Sequence, residues 1–464
     1  MKTFSFAKLS CLLFAVCLAS AVHAPAQTFT ILQNFQQSDP TSALVQGLNG
    51  NLYGTMEGGA IGFEGNVYTL TSSGTYSTIA TPCCASYAPL VLASNGYFYG
   101  STQQGGTALE GNIYKMTASG AETTLYNFCT TTCDDSSYPH GSLVQLGNGD
   151  LYGTTVSTIF KITLAGDLTT LYNFCPGTTC NSGVITPGGL MLANDGNFYG
   201  VTSGSQNDGT VFMMTPSGTL TTLHSFNGTD GSTPVGPLVQ AANGYLYGVT
   251  LSGGTGVNRA CVYIGTGGCG TIFKISTSGV FTALHNFAGR DGANPSAGLV
   301  LASDGNLYGT TYSGGNNPSN SGTAFVVNPT GELKTIYDFC AQTYCLDGGN
   351  PFMPLLQATN GTLYGTTRNG GTQTNGIFFS LSRGLRPYVQ TIPAQGNVGM
   401  NVIILGNNLT GTTSVTFHGV AATFSVLSDT EMSATVPAGA TTGAVKVTTP
   451  TTTLSTNVSF RVGH

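Results

Sequence analysis

The sequence predicts an all-β protein: a seven-bladed β-propeller closed by an N-terminal strand, followed by an immunoglobulin-like β-sandwich. Three observations carry this. ASDGNLYGTT (302–311) has close copies whose central tyrosines fall at Tyr53, Tyr99, Tyr152, Tyr199, Tyr247, Tyr308 and Tyr364, 46 to 61 residues apart. That interval is the size of one four-stranded blade. TFTILQNF, at 28–35, repeats a motif that ends the other units but lacks a good copy in the last one. Beyond about residue 387 the repeat stops, and short alternating β runs take over.

The sixth unit shows how one blade is written. AGLVLA (297–302), NLYGTT (306–311), GTAFVVN (322–328) and ELKTIYDF (332–339) are four β-like runs rich in Val, Ile, Tyr, Phe and Thr. DG (304–305) joins the first two runs and PTG (329–331) the last two. NG and DG are strong hairpin signals because a type I′ turn needs positive φ at both central residues. A meander of this kind repeated seven times argues for a propeller over a solenoid. The repeated tyrosine alternates with Leu and Gly, so it is expected to pack between blades.

Closure follows from the outer-strand motif. It reads TTLYNF (123–128 and 169–174), TTLHSF (221–226), TALHNF (282–287) and KTIYDF (334–339). TFTILQNF precedes any first-strand partner, so it is expected to complete the seventh blade and remove the open sheet edges.

The turns divide the ring into two faces. First-to-second and third-to-fourth turns share one face and are minimal. The other face carries long, Gly-rich loops such as MEGGAIGFEGN (56–66) and LSGGTGVNRACVYIGTGGCG (251–270). Loops on rigid scaffolds carry function, so this second face is the predicted interaction face.

Residues 1–26 are read as a secretory signal: Lys2 and Lys8, the apolar CLLFAVCLASAV, then Ala24-Pro25-Ala26 before Gln27. The apolar core is too short to span a membrane. No lipid-attachment pattern stands before Cys11 or Cys17, and no C-terminal anchor is read. Of 12 cysteines, ten follow the signal, in close pairs: Cys83/Cys84, Cys129/Cys133, Cys175/Cys180, Cys261/Cys269 and Cys340/Cys345. An oxidising compartment makes local disulfides the natural reading. Cys83–Cys84 would need a strained ring and is the least secure. Metal binding by these pairs is the rival, and no His or second pair stands close in sequence. All five pairs lie on the long-loop face. The protein is expected to be secreted, extracellular or periplasmic.

Charged residues make up 7% of the chain and its formal net charge is −6. Soluble domains usually carry about 25% charged residues. An acidic, weakly charged chain is a poor partner for nucleic acid, whose phosphates need basic patches.

Candidate chemistry is sparse. Glu57, Glu64 and Glu110 sit in second-to-third loops of neighbouring blades, and Arg259 and Arg368 in equivalent loops of the fifth and seventh. His140, in SSYPHGSL, lies on the same face. Together they could line a polar pocket over the channel; scattered solvated loop charges are the plainer reading. His224 and His285 take the Tyr place of the outer-strand motif and read as aromatic substitutes. His418 lies in the β run VTFHGV. Asp39, Asp135, Asp230, Asp291 and Asp347 recur between blades, often as DG before Pro. Asx-type turns explain them, with a calcium ring as the alternative. No other cofactor is expected. There is no G-x-S-x-G, H-E-x-x-H, Walker loop or G-x-G-x-x-G between strand and helix, and no Trp.

GLVLASDGNLYGTT, GTVFMMTPSGTLTTLHSFNGTDGSTPVGPL and NFAGRDGANPSAGL resemble the tandem repeats of the GloVer-type secreted bacterial proteins, over about 28–384. The resemblance implies fold and export, and no activity. The run NVGMNVIILG, the strand VTFHGV and VPAGATTGAVKVTT stand in the order of an IPT/TIG domain, over 387–462. Such domains in secreted bacterial proteins are spacers or interaction modules. Pro387 and Pro393 are expected to stiffen the junction. The leading functional expectation is a secreted, non-enzymatic binding or adhesion protein recognising a glycan or surface protein. An extracellular polysaccharide hydrolase or lyase using Glu57, Glu64, Glu110 or His140 is second, and a structural envelope protein third.

Overall fold

A computed structural model describes residues 27–36, 40, 42–56, 65–81, 88–129, 136–175, 184–185, 189–203, 208–256, 261 and 267–463. Seven antiparallel sheets are followed by a smaller β domain. The first six blades run over 45–80, 91–127, 144–173, 184–225, 232–286 and 300–338. The seventh combines 356–382 with the N-terminal strand Thr28–Asn34, which pairs antiparallel with Ile377–Ser382. The closure expected from TFTILQNF is therefore present.

Burial follows strand position. In the sixth blade, Leu307–Thr311 is wholly buried, Thr323–Val327 nearly so, and the outer Leu333–Asp338 is half-exposed. Inner strands are short, as in Val45–Gln46 and Val300–Leu301, because they crowd around the axis. A Cβ on Gly236 of the fifth blade would stand 2.3 Å from the Gly298 nitrogen of the sixth. The fourth blade splits its inner strand into Val184–Ile185 and Met191–Leu192, giving that sheet five strands.

The core is a ring of hydrophobic clusters, each shared by two adjacent blades. The repeated tyrosine is central to it. Tyr53 of the first blade lies 4.4 Å from Phe98 of the second, and Tyr152 of the third 4.7 Å from Phe198 of the fourth. Its hydroxyl meets the turn residue four positions earlier: Asn49 and Asn95 donate to Tyr53 and Tyr99, while Tyr199 and Tyr308 donate to Asp195 and Asp304. Burial, with the nearby Asp304 charge, pushes the Tyr308 hydroxyl up to about 12. The N/D-G turn and LY thus form one unit, linking hairpin geometry to blade packing.

A polar joint supplements the apolar one. Gln145 of the third blade accepts the Ser94 N–H of the second (2.7 Å), Gln240 that of Asn194 (2.8 Å), and Gln357 that of Ser303 (2.9 Å). The equivalent residues in blades two, four and six are Leu92, Leu192 and Leu301. Strict alternation fails in a ring of seven, so two glutamine blades meet at the seam. There Gln46 accepts the Thr359 N–H at 2.9 Å.

The C-terminal domain has two four-stranded sheets and one short parallel pair, Gln395–Asn397 with Arg461–Gly463. Val402, Ile404, Val415, Phe417, Val445 and Phe460 fill its core. It does not stand off as a spacer would. Ile392 and Leu405 join the cluster between blades one and two. Thr430 donates to Leu48 O (2.6 Å), Tyr388 to Gln357 O (2.6 Å), and Asn457 to Gln357 Oε1 (2.9 Å). A Cβ on Gly147 would come within 3.1 Å of Gln395 O, and one on Gly196 would strike Arg461. These contacts fall on the short turns of blades one, three, four and seven. The domain therefore caps the short-turn face.

Candidate binding face

With one face capped, no second domain among the described residues covers the long-loop face. Glu57, Glu64 and Arg259 lie outside the described residues, as do Cys133, Cys180, Cys83 and Cys84. Cys261–Cys269 and Cys340–Cys345 are disulfides, and Cys129 and Cys175 are also disulfide-bonded.

Glu110 and His140 share one rim, between blades two and three. The Glu110 carbonyl accepts the Tyr138 N–H at 2.9 Å. Leu109 and Tyr138 stand beside it, 70% and 37% exposed, with φ of 61° and 52°. Left-handed backbone is costly for such residues and is held here by the surrounding loops. His140 is anchored through its own N–H to Thr154 O (2.9 Å), and the Gln103 amide donates to Nδ1 at 2.8 Å. Burial lowers the imidazole pKa, so the ring is neutral at neutral pH with its proton on Nε2. An amide, not a carboxylate, holds Nδ1, so the orienting acid of a catalytic dyad is missing from that contact.

Arg368 lies on another rim, between blades six and seven. Its guanidinium sits 5.9 Å from the Phe352 ring centroid, and Tyr312 meets Phe352 edge-on at 6.0 Å. The Arg368 N–H donates to Asn350 O (3.2 Å), and Asn350 Nδ2 donates to Tyr312 O (2.9 Å). The Cys340–Cys345 loop rests on the same blade, where Gly371 N donates to Cys345 O at 2.9 Å. That loop presents Tyr344, 88% exposed at φ 60°, and Leu346 follows it. Tyr312, Phe352 and Arg368 thus form one aromatic–cation cluster, and the disulfide loop separately exposes Tyr344.

Of the six sequence candidates, the three described ones lie on two rims. Glu110 and His140 are brought together; Arg368 belongs elsewhere on the ring. The aromatic residues Tyr312, Tyr344 and Phe352 were missed. Their signal was present in the sequence: large apolar residues inside otherwise Gly- and Asn-rich loops, in TTYSGG and TYCLDGGNPF.

The three described aspartates of the recurring set, Asp230, Asp291 and Asp347, act as turn latches. Asp230 Oδ1 accepts the Asn227 N–H (2.9 Å) and Oδ2 meets His224 Nε2 (3.0 Å). Asp291 accepts the Ala288 N–H (2.8 Å) and meets His285 (2.7 Å). Asp347 accepts the Tyr337 hydroxyl (2.8 Å) and the N–H groups of Ala341 and Gln342. Each carboxylate closes its own loop and ties it to the outer strand. Burial alone would raise the Asp291 pKa, but hydrogen bonds from His285 and Ala288 and the His285 charge hold it below its ordinary value. The turn reading of these residues fits, with an addition: His224 and His285 latch the turn as well as stacking, His224 lying 3.8 Å from Phe281. The H-x-F-x-G-x-D-G spacing in HSFNGTDG and HNFAGRDG carried that signal. Asp39 and Asp135 lie outside the described residues. Among the described residues no group of three or more His, Cys, Asp or Glu could hold a metal, and no helix is long and apolar enough to cross a membrane.

Among solved structures, the extracellular domain of a hybrid two component system from B. thetaiotaomicron aligns with TM-score 0.52 at 14% identity. The alignment covers 82% of this chain and 45% of that one, so the chain spans less than half of that relative. The extracellular domain of a one component system from the same organism aligns at 11% identity and TM-score 0.49, covering 93% of this chain and 58% of that one. The WD40 propeller domain of Doa1 aligns at 10% identity and TM-score 0.48, covering 76% and 97%. Likeness at this level speaks to fold alone. No curated protein sequence matches the chain. The Gloeobacter/Verrucomicrobia repeat matches residues 20–185, 87–263 and 186–423, and the IPT/TIG domain matches 387–462. Strand pairing ends the last blade at Ser382, so the third repeat match overruns into the docked domain. From its repeats and their sheets, the chain belongs to the Gloeobacter/Verrucomicrobia repeat family, with an IPT/TIG domain behind them.

Proposed function

We propose that this is a secreted binding protein that performs no chemistry and recognises an extracellular glycan or surface partner through its long-loop face. One observation carries the reading. The short-turn face is covered by the chain's own domain, while the long-loop side carries the Tyr312–Phe352–Arg368 cluster and, on the loop pinned by Cys340–Cys345, the exposed Tyr344. Aromatic rings stack on the apolar faces of sugars, and an arginine fork supplies directed hydrogen bonds. Disulfides agree with an oxidising location outside the cytoplasm, as does the leader-like sequence of residues 1–26. The neutral, amide-held His140 offers one hydrogen-bond donor rather than a general base.

A glycan-array screen of the mature protein, run beside a turnover assay on each hit, tests this. Binding without turnover, weakened about 10-fold or more by Phe352→Ala or Tyr344→Ala, is the expected result. Turnover of a hit, or binding that ignores both substitutions, would refute it.

A further inference from the structure

The cap is not flush with the ring. Between the short turns of blades five and six and the C-terminal domain lies a cleft of about 550 Å³, floored by the linker at Arg386, Pro387 and Tyr388. That volume is within the usual range of small-molecule sites, and domain interfaces are where such sites concentrate.

Its lining has a definite chemistry. Arg386 is the one charged residue lining it. Asp304 stands between two lining residues, yet its carboxylate is engaged by Tyr308 and Asn306 within its own turn. The Arg386 carbonyl accepts the Ser303 hydroxyl at 2.7 Å, which fixes the backbone that carries the guanidinium. Across the cleft, among the described residues, the Ser455 and Thr453 hydroxyls make only long contacts, 3.5 and 3.4 Å, within their own domain. Asn457 spends its amide NH₂ on Gln357, and its oxygen has no partner among the described residues. Ala242, Pro329 and Pro387 supply apolar wall. The site therefore offers one planar cation, two under-used hydroxyls, an amide oxygen and small apolar surfaces.

We infer that this interdomain cleft binds a short acidic saccharide, its carboxylate on Arg386 and its hydroxyls on Thr453, Ser455 and Asn457. Arginine meets a carboxylate bidentately, and the hydroxyl and amide groups suit a polyol that both donates and accepts. The aliphatic walls suit the C–H faces of a sugar ring. This site is on the opposite face from the aromatic–cation cluster and does not depend on it.

The probes are a uronic-acid disaccharide and its carboxyl-reduced counterpart, titrated into the full chain by calorimetry and ligand-observed NMR. The acidic probe should bind about 10- to 100-fold more tightly than the reduced one. Arg386→Gln should erase that difference. Ala242→Trp, at an exposed turn position, should fill the cleft and abolish binding while leaving the melting temperature unchanged. Phe352→Ala should leave it intact. Equal affinity for the two probes, or no saturation up to about 10 mM, would overturn the inference. So would binding lost with Phe352→Ala and retained with Ala242→Trp, although the long-loop reading would then stand. Should Arg386→Gln fail to fold, the two probes on the unaltered protein still decide the role of charge.

Discussion

Phe35→Ala tests how the ring is locked. Phe35 is 2% exposed, in the cluster that joins blade seven to blade one. Its ring lies 5.9 Å from Tyr68 and 6.2 Å from Tyr76, and its N–H donates to Gly376 O at 3.1 Å. Truncating a buried phenylalanine costs about 3–5 kcal/mol. Phe174 is the matched control, 3% exposed in the cluster of blades three and four. Both variants should lose similar global stability, but they should lose it in different places. Around Phe174 the chain continues on both sides, so releasing the outer strand means disrupting a blade. The strand Thr28–Asn34 is far in sequence from the rest of blade seven and is held to it by non-covalent pairing, packing and side-chain hydrogen bonds. Its local opening free energy should fall by nearly the full cost of truncation. At about 1.4 kcal/mol per factor of ten, protection from hydrogen exchange in 28–35 and 377–382 should drop by about 100- to 4000-fold. Mass-spectrometric exchange on peptides from those segments reads this directly. If Phe35→Ala leaves 28–34 protected, or lowers protection evenly around all seven blades, the N-terminal strand is not the lock.

Three further outcomes follow from single side chains. The Tyr68 hydroxyl is buried with no partner among the described residues, while blades three to seven place Phe at that position; Tyr68→Phe should raise stability by about 1 kcal/mol in chemical denaturation. Asp291 is held below its ordinary 3.8, so its latch contributes stability above the unfolded value and loses it as pH falls through the folded one; the gap in melting temperature between the protein and Asp291→Asn should close below about pH 4 and reach full size above it. Replacing Cys340 and Cys345 by Ser removes a short cross-link worth about 2 kcal/mol on the chain-entropy account; exchange at Gly348, whose N–H donates to the residue-345 carbonyl at 2.9 Å, should accelerate, with far smaller changes in the blades.

The ring was legible because each part of the repeat has a local cause. The N/D-G turn sets a hairpin, the following Tyr bonds back to that turn, and the period counts the blades. The seam was legible for the same reason: TFTILQNF has a partner only if the circle closes. The docked domain was not. Its contacts join residues far apart in sequence, such as Thr430 with Leu48 and Asn457 with Gln357, and each alone looks like an ordinary surface polar residue. Ile392 and Leu405 read equally well as core of their own sandwich. The candidate site was legible only in outline. Charged loop residues were singled out because charge does chemistry, yet His140 is held by an amide and the aspartates are consumed as latches. What the long loops expose instead is large apolar side chains, three of them in left-handed backbone, and the cost of holding Leu109, Tyr138 and Tyr344 there is the better pointer to function. A loop selected only to connect blades could place such residues inward or replace them with glycine. Keeping Tyr344 outward, on a loop tied down by the Cys340–Cys345 disulfide, makes sense if something outside the molecule meets it.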